Sequence, residues 1–285
     1  MWISTLFHKI KILCARRRGR SLPPISSEKL YGDAGEEEVT AELREALPDC
    51  RMKRNVIVDA SGQTAEIDCL IFYRNKLFAI EIKHWKGRLI EADGRLFKAK
   101  TDRYTGETHL EEMRSPFGQL ARSIRLLKEQ EQSSAWINGI VYIDGDEFEG
   151  FDGECAAPCF CDPEDCVRYI EEEGRTTDPV RAQRLFDACL SPDILYSERE
   201  ERYLRGIIAD AFLHFSCDGA EISRADIESI EVKHRLLCDE LTIKLKTGGV
   251  CTARLENAKI LVYDGDLEET VALCKVDLIC LGGEE

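Results

Sequence analysis

Two short β-type segments joined by a turn constrain the fold of this chain more than any other feature. Residues 66–72 and 76–83 are rich in aliphatic and aromatic side chains, and Arg74-Asn75 stands between them. Asparagine between two apolar runs is typical of a tight turn. The pattern predicts a β-hairpin, preceded by a further strand over residues 55–59 and a turn at Ser61-Gly62.

Three charged side chains fall on this predicted hairpin. Successive side chains of a strand point to opposite faces, so Glu81 and Lys83 project together while the apolar residues beside them point the other way. Antiparallel pairing with the preceding strand brings Asp68 beside Glu81. Two carboxylates next to a lysine can bind a hard divalent cation such as Mg²⁺ through oxygen ligands. The alternative at this point is a cross-strand ion pair without a chemical role.

A second segment of the chain shows how weak the Glu-x-Lys pattern is by itself. Residues 230–234 (Ile-Glu-Val-Lys-His) nearly repeat residues 80–84 (Ile-Glu-Ile-Lys-His). The acids just before the second copy, Asp226 and Glu228, are too close to lie on a paired strand. We interpret the second copy as the exposed polar face of a strand.

Apolar spacing predicts an alternation of helices and strands over the first 190 residues. The helix that begins at Ser115 has a serine at the N-cap and Pro116 in the first helical position. The predicted order is a helix over 28–47, strands over 55–59, 66–72 and 76–83, the helix from Ser115, strands over 139–143 and 157–161, and helices over 165–173 and 179–190. This order indicates an α/β fold in which helices flank a mixed sheet.

Several short motifs occur in a fixed order along this part of the chain. They are Gly32-Asp-Ala-Gly-Glu36, Glu66-Ile-Asp68, Glu81-Ile-Lys83 followed by Trp85-Lys-Gly87, and Pro116-Phe-Gly-Gln119. Together they resemble the nuclease-related domain (NERD), a branch of the PD-(D/E)xK nuclease-like superfamily, over residues 28–145 with an extension to 190. The resemblance implies a restriction-endonuclease-like α/β core and Mg²⁺-dependent cleavage of phosphodiester bonds.

The resemblance also implies roles for individual residues. Asp68 and Glu81 look like metal ligands, and Lys83 looks like the catalytic lysine. Glu36 resembles the acidic residue on a helix that completes the metal site in this superfamily. Gln119 matches the family glutamine, which would position Lys83 or a substrate phosphate.

Two of these motifs leave alternatives open. At 100° per residue, Gln119 lies almost opposite the apolar stripe of its helix, although Leu126 shares its side, so a glutamine that faces solvent is the alternative. Gly32 and Gly35 would allow the first helix to approach the sheet closely, and a purely structural role is the alternative for both. A glycine inside a helix costs about 1 kcal/mol relative to alanine, so its presence calls for a reason.

The distribution of charge separates an N-terminal arm from the rest of the chain. Residues 1–20 carry six basic side chains and no acids, which account for +6 of a total of −15, so the remaining residues carry −21. The strong acidity excludes a protein that coats duplex nucleic acid, which needs a broad cationic surface. The cations near the core motifs are few, so phosphate contacts are expected from them or from the arm. They are His84, Lys86, Arg88, Lys98, Lys100 and Arg103.

Three regions follow from these observations. Residues 1–27 form a basic amphipathic arm and a Pro/Ser linker, and residues 28–196 form the NERD nuclease-like domain. Residues 197–285 form a small accessory domain that is either α+β or mainly β. It is predicted to begin with a helix over 198–215 and to continue with strands over 230–233, 240–246, 250–255 and 259–263.

The cysteines indicate a reducing environment. The chain has 13 of them, an odd number, and most stand singly among apolar residues, where a free thiol behaves as a small hydrophobic side chain. Free thiols in turn indicate a cytoplasmic protein. Four cysteines cluster with irregular spacing, and we interpret them as free thiols rather than as an iron–sulfur or zinc site. They are Cys155, Cys159, Cys161 and Cys166.

The sequence therefore predicts a Mg²⁺-dependent nuclease that hydrolyses DNA with metal-activated water, with Mn²⁺ as an alternative metal and RNA as an alternative substrate. The first rival hypothesis is a non-catalytic module that keeps the fold and binds nucleic acid or a protein partner. The second is a membrane-peripheral protein whose residues 1–20 contact anionic lipid. The sequence makes no prediction of the oligomeric state.

Overall fold

The computed structural model describes residues 22, 27–93, 95–101, 105–145, 148–153, 155–197, 202–217, 219–235, 238–256, 258–264 and 267–282. These residues divide into two compact units, 27–189 and 190–282, and Leu22 packs in the core of the second unit. The basic arm predicted over residues 1–20 lies outside the described residues. None of the described helices is long and apolar enough to cross a membrane.

The described part of the first unit contains four α-helices and nine strands. In chain order they are α1 (Ser27–Ala46), β1 (Arg51–Ala60), β2 (Gln63–Tyr73), β3 (Lys76–His84), β4 (Gly87–Ala92), β5 (Arg95–Thr101), β6 (Thr108–Met113), α2 (Pro116–Gln130), β7 (Asn138–Asp144), β8 (Phe148–Asp152), β9 (Cys159–Phe160), α3 (Pro163–Arg168) and α4 (Pro179–Ala188). One π-helical turn, Tyr169–Glu173, follows α3 directly.

The main sheet of this unit has five strands in the order β1-β2-β3-β7-β9. The first three strands pair antiparallel, and β3, β7 and β9 pair parallel. One face packs against α1 and α3 through buried side chains such as Leu43 and Ile80, and the other packs against α2 and α4 through Leu120 and Phe186. The unit is therefore an α/β structure in which helices flank a mixed sheet, and its central strand β3 is covered on both faces.

A second sheet, with the order β6-β5-β4-β8, was not predicted from the sequence. Strands β4, β5 and β6 lie between β3 and α2 in the chain, where apolar and polar residues show no clear alternation. Leu89 and Leu96 are buried, whereas β6 is exposed along most of its length. A strand without a buried face has no apolar period of two, so the sequence pattern could not reveal it.

The predicted turns of the two hairpins and the predicted start of α2 are confirmed. The turns at residues 61–62 and 74–75 have positive φ at both central residues, which matches the right-handed twist of the strands they join. The Ser115 side chain accepts a hydrogen bond from the Gly118 N–H, and Pro116 begins the helix. The hairpin β2–β3 and the start of α2 are thus fixed by short-range sequence.

The second unit is built mainly from strands. In chain order they are β10 (Asp193–Ser197), β11 (Arg202–Ile208), β12 (Phe215–Cys217), β13 (Ala220–Ile222), β14 (Ile227–His234), β15 (Asp239–Leu245), β16 (Val250–Leu255), β17 (Lys259–Asp264), β18 (Leu267–Ala272) and β19 (Leu278–Cys280). Eight of them form one antiparallel sheet in the order β16-β15-β14-β19-β10-β11-β17-β18, and β12 pairs with β13. Because β10 pairs with β11 and β19, the second unit begins before residue 197.

The helix predicted over residues 198–215 is wrong, because strand β11 occupies its centre. Leu204, Gly206 and Ile208 are buried in alternation along this strand. A Cβ atom on Gly206 would lie only 2.6 Å from the Cγ1 of Val262, so the two strands approach closely there. Pairing with the neighbouring strands outweighs the helix propensity of the Glu- and Arg-rich sequence before it.

Candidate functional site

Strands β2 and β3 separate at the point where Asp68 and Glu81 lie. Their pairing ends with Cys69 opposite Ile80, one residue before the two carboxylates. Beyond that point the Asp68 side chain replaces a backbone acceptor, because its Oδ2 accepts a hydrogen bond from the Ile82 N–H at 2.7 Å. At this end of the hairpin the two strands are therefore joined through a side chain rather than through backbone pairing.

Lys83 joins the two carboxylates into one cluster. Its Nζ lies 2.6 Å from the Glu81 Oε1 and 3.6 Å from the Asp68 Oδ2, and it also donates to the backbone oxygen of Ile82 at 3.2 Å. Asp68 is 8% exposed and Glu81 is 4% exposed. The structure thus brings together three of the five predicted site residues in a place that is largely shielded from water.

Burial gives this cluster unusual electrostatics. Burial, together with the nearby charge of Asp68, raises the pKa of Glu81 to about 7. Burial also lowers the pKa of Lys83, but the charges of Asp68 and Glu81 outweigh this effect and raise it overall. Lys83 is therefore protonated at neutral pH, and its single positive charge faces more than one carboxylate. When Asp68 and Glu81 are both ionised, they carry more negative charge than Lys83 balances, and a divalent cation can neutralise this excess.

Glu36, the predicted third metal ligand, is held by a residue that the sequence did not single out. The Asn55 Nδ2 donates a hydrogen bond to the Glu36 Oε2 at 3.0 Å. The charge of Glu36 also raises the pKa of Lys83, so the carboxylate belongs to the same electrostatic environment. The sequence predicts Asn55 only as the first residue of a strand, and the one signal for another role is an amide side chain at the edge of an apolar run.

The donor atoms at this site suit a hard divalent cation. Mg²⁺ and Mn²⁺ prefer carboxylate oxygens, which Asp68 and Glu81 supply in a buried and negatively charged place. Within the described ranges, however, no three carboxylate, histidine or cysteine side chains are arranged to hold a metal ion. Asp68 and Glu81 are therefore a candidate pair of ligands, whereas Glu36 is hydrogen-bonded to Asn55.

His84 ends strand β3 and connects it to α1 and β7. Its Nδ1 lies 2.5 Å from the Asp144 Oδ2 on the neighbouring strand. A Cβ atom on Gly35 would lie 2.9 Å from the same Nδ1, so only glycine allows α1 to come this close. The glycine predicted to permit close approach therefore contacts the strand that carries Glu81 and Lys83. Gly32 lies on the same helix.

Gln119 lies on the flank of α2 that turns toward strand β2. Ser123 and Leu126, four and seven residues further along, are buried, and the Ser123 Oγ donates to the backbone oxygen of Glu66. Gln119 itself is half-buried, and the hydrogen bonds described for it are made by its backbone. The helix therefore turns this residue toward β2, but none of its described contacts joins it to the carboxylates.

Two cationic side chains of the second sheet face carboxylates of the same sheet. Arg88 binds both oxygens of Asp152 at 2.6 and 3.0 Å, and the Arg95 Nη1 lies 3.6 Å from Glu112. By contrast, the Arg54 Nε, on the strand next to the site, is buried and has no acceptor among the described residues. The side chain of Lys100 and all of Arg103 lie outside the described residues.

The clustered cysteines occupy different environments. Cys166 is buried in the core beneath α1, whereas Cys155 and Cys161 are exposed. Burial raises the pKa of both Cys159 and Cys166 to about 12, so these two are protonated thiols at neutral pH. Eleven cysteines with described side chains form no disulfide.

Comparison with known protein families gives one finding. The family model of the nuclease-related domain (NERD) matches residues 31–143, less than half of the 285-residue chain. The resemblance predicted from the ordered motifs is confirmed for this segment. Neither a curated protein nor a solved structure matches the chain. The five predicted site residues all lie within the matched segment: Glu36, Asp68, Glu81, Lys83 and Gln119.

Proposed function

Because residues 31–143 form a nuclease-related domain, we propose that the first unit hydrolyses phosphodiester bonds of nucleic acid, with DNA as its main substrate. The reaction requires a divalent cation, Mg²⁺ or Mn²⁺, held by Asp68 and Glu81. The observation that carries this proposal is the buried cluster of Asp68, Glu81 and Lys83 at the open end of the β2–β3 hairpin. The order of helices and strands around this cluster supports a restriction-endonuclease-like core.

Each side chain of the cluster has a part in this chemistry. A bound divalent cation lowers the pKa of water and neutralises charge on the phosphate. Asp68 presents a carboxylate whose direction is fixed by the Ile82 N–H, so it can hold a ligand without reorganising. Lys83 carries a positive charge that can orient the attacking water or stabilise the negative charge that develops on the phosphate oxygens.

Gln119 and Arg54 are the substrate contacts that we propose around this centre. Gln119 lies on the flank of α2 that turns toward β2, from which its amide can reach Lys83 or a phosphate. Arg54 supplies a guanidinium group on the neighbouring strand that would donate to a phosphate oxygen, and its buried Nε has no acceptor among the described residues. The absence of a disulfide among the eleven cysteines with described side chains supports a cytoplasmic location for the enzyme.

The second candidate function is a non-catalytic module that binds nucleic acid or a protein partner. The observation that favours it is the ion pair of Lys83 with Glu81, which balances part of the buried charge without any metal.

The deciding experiment incubates plasmid DNA, single-stranded DNA and RNA with the full-length protein and Mg²⁺ or Mn²⁺. We expect cleavage of DNA by the wild type that stops in EDTA and is lost in Glu81→Gln. The matched control is Glu231→Gln, which changes the same residue in the second Ile-Glu-x-Lys-His segment and should cleave like the wild type. Equal background cleavage by the wild type and Glu81→Gln would rule out catalysis, and metal-independent binding of DNA would then favour the non-catalytic module.

A further inference from the structure

Asn55 has a backbone conformation that is unusual for a residue within a strand. The structure describes six non-glycine residues with positive φ, and five of them lie in turns. Asn55, with φ of +53°, lies inside strand β1. Asparagine tolerates this left-handed conformation better than most residues do, but the conformation persists within a strand only when the surroundings hold it there.

The strain at Asn55 lies beside the candidate site. Arg54 pairs with Cys69 and Val56 pairs with Ile67, so Asn55 falls opposite Asp68 at a gap in the β1–β2 pairing. The same stretch of β2 is where the pairing with β3 ends. The irregular backbone of β1 and the opening between β2 and β3 therefore coincide at the aspartate.

The side chain of Asn55 has one described partner, which is a site residue. Asn55 is 7% exposed, and its Nδ2 donates to the Glu36 Oε2 at 3.0 Å. Glu36 lies on α1, whereas Asp68, Glu81 and Lys83 lie on the hairpin, so the hydrogen bond ties the helical carboxylate to the sheet. Because Asn55 falls opposite Asp68, the same hydrogen bond places the Glu36 carboxylate at the Asp68 end of the hairpin.

We propose that Asn55 is a positioning residue, which fixes the Glu36 carboxylate at the Asp68 end of the hairpin and thereby strengthens the binding of a divalent cation. The inference rests on the proposed function, because it concerns the metal affinity of the same cluster. The left-handed backbone turns the amide toward α1, and the hydrogen bond limits the directions that the carboxylate can take. Hydrogen-bond partners that orient the carboxylates around a metal change its affinity about 10- to 100-fold when they are lost.

The test uses isothermal titration of the full-length protein with Mn²⁺, for the wild type, Asn55→Gly, Glu36→Gln and the double variant. Glycine keeps the left-handed backbone without strain and removes only the amide. We expect Asn55→Gly to bind Mn²⁺ about tenfold or more weakly than the wild type. Because Asn55 acts through Glu36, Asn55→Gly should have no further effect in the Glu36→Gln background.

Asn75→Gly is the matched control, because Asn75 has φ of +65° in the β2–β3 turn at the far end of the hairpin. It relieves the same kind of backbone strain and should bind Mn²⁺ like the wild type.

Chemical denaturation should give both glycine variants a midpoint close to that of the wild type, which shows that the change in affinity does not come from unfolding. An unchanged Mn²⁺ affinity in Asn55→Gly, or additive effects in the double variant, would overturn the role of Asn55 alone. If the wild type binds no Mn²⁺, the proposed metal-dependent function fails, and the inference fails with it.

Discussion

The two Ile-Glu-x-Lys-His segments have nearly the same sequence and opposite environments. In residues 80–84 the glutamate is 4% exposed and pairs with Lys83 of its own strand. In residues 230–234 the side chain of Glu231 is 52% exposed and pairs with Lys244 of the next strand, 2.6 Å away. The exposed polar face predicted for the second segment is therefore present, and the contact there is a surface ion pair of the kind that contributes little.

The difference comes from what covers each strand. Helices pack on both faces of the sheet that contains β3, so its polar side chains are buried along with its apolar ones. Strand β14 buries only one face, and Glu231 and Lys233 point from the other. A short acidic–basic motif thus becomes a candidate site only where a second layer removes it from water and an additional carboxylate lies opposite. Five residues of sequence do not contain that information.

The largest expected difference between the two segments concerns the lysines. Lys83→Met removes the charge that we propose to stabilise the reacting phosphate, and we expect DNA cleavage to slow about 10²- to 10³-fold, as for the loss of one electrostatic donor. Lys233→Met makes the same change on an exposed surface and should leave the rate unchanged. The rates of plasmid cleavage in Mg²⁺ measure both effects. Equal rates for both variants would remove the proposed distinction between the segments.

The next difference concerns the stability of the metal-free protein. Because the pKa of Glu81 is raised from 4.5 to about 7, its ionisation opposes folding, and the wild type loses stability as the pH rises from about 4.5 to about 7. We expect Glu81→Gln to raise the free energy of unfolding by about 2 kcal/mol at pH 8 and by much less at pH 5.

Urea unfolding of the first unit, followed by the fluorescence of Trp85 and Trp136, measures the effect of Glu81→Gln. Glu231→Gln is the control and should behave like the wild type at both pH values. A Glu81→Gln variant that is less stable than the wild type at pH 8 would show that the ion pair with Lys83 outweighs the cost of burying the carboxylate.

An effect of similar size is expected from the helix that packs against the first of the two histidines. His84 contacts Gly35 of α1, so Gly35→Ala would place a Cβ atom 2.9 Å from a ring that Asp144 holds in place. We expect a loss of about 1–3 kcal/mol in the unfolding free energy of the first unit. Gly118→Ala is the matched helical control, because its nearest neighbour, the Ser115 Cβ, would lie 3.8 Å away. It should be neutral or stabilising by up to about 1 kcal/mol, and equal effects of both variants would contradict the close approach of α1.

The smallest effect is expected at His234, which lies between two carboxylates. Its Nδ1 and Nε2 are each 3.0 Å from a carboxylate oxygen, of Asp239 and Asp277 respectively. Hydrogen bonding to Asp239, reinforced by Asp277, raises the pKa of His234 despite the opposing effect of burial. Its contribution is therefore complete below the ordinary pKa near 6.5 and is lost as the pH rises through the raised value.

We expect His234→Gln to lower the stability of the second unit by about 0.5–1 kcal/mol at pH 6, because solvent screens the partly exposed pair, and to have little effect at pH 9. Hydrogen exchange of the β14 and β15 amides measures this effect, with the exposed His214→Gln as control. A His234→Gln effect that does not change with pH would exclude the ionic contribution.

The parts of the molecule that could be predicted from the sequence are those fixed by neighbours in the chain. The turns at 61–62 and 74–75 and the start of α2 at Ser115 depend on a few consecutive residues, and the hairpin brings Asp68 and Glu81 to the same end of two strands. By contrast, β11 needs pairing partners that are distant in sequence. The exposed strand β6 carries no apolar alternation that could identify it.

Asn55 shows the limit of such prediction within the site itself. Its residue type permits a left-handed backbone but does not require one, and nothing in the neighbouring sequence indicates that α1 supplies its partner. Gln119 shows a similar limit, because an ideal helical wheel centred on Phe117 placed it opposite the core. The buried side of α2 includes Ser123 and Leu126, which shifts the covered face toward Gln119. The partner of Asn55 and the surroundings of Gln119 both depend on contacts between elements that are distant in the sequence.

The hydrogen bond from the Ile82 N–H to Asp68 gives this aspartate a role in folding that does not depend on any reaction. Where β2 and β3 part, this N–H would be a buried donor without an acceptor, a defect costing about 1–3 kcal/mol. The aspartate repairs that defect whether or not the protein cuts anything. A relative without nuclease activity would therefore still be under selection to keep Asp68 for folding. Lys83 is under a similar constraint, because its loss would leave the buried carboxylates of Asp68 and Glu81 without a counter-charge. Retention of these residues is thus not by itself evidence of a working enzyme.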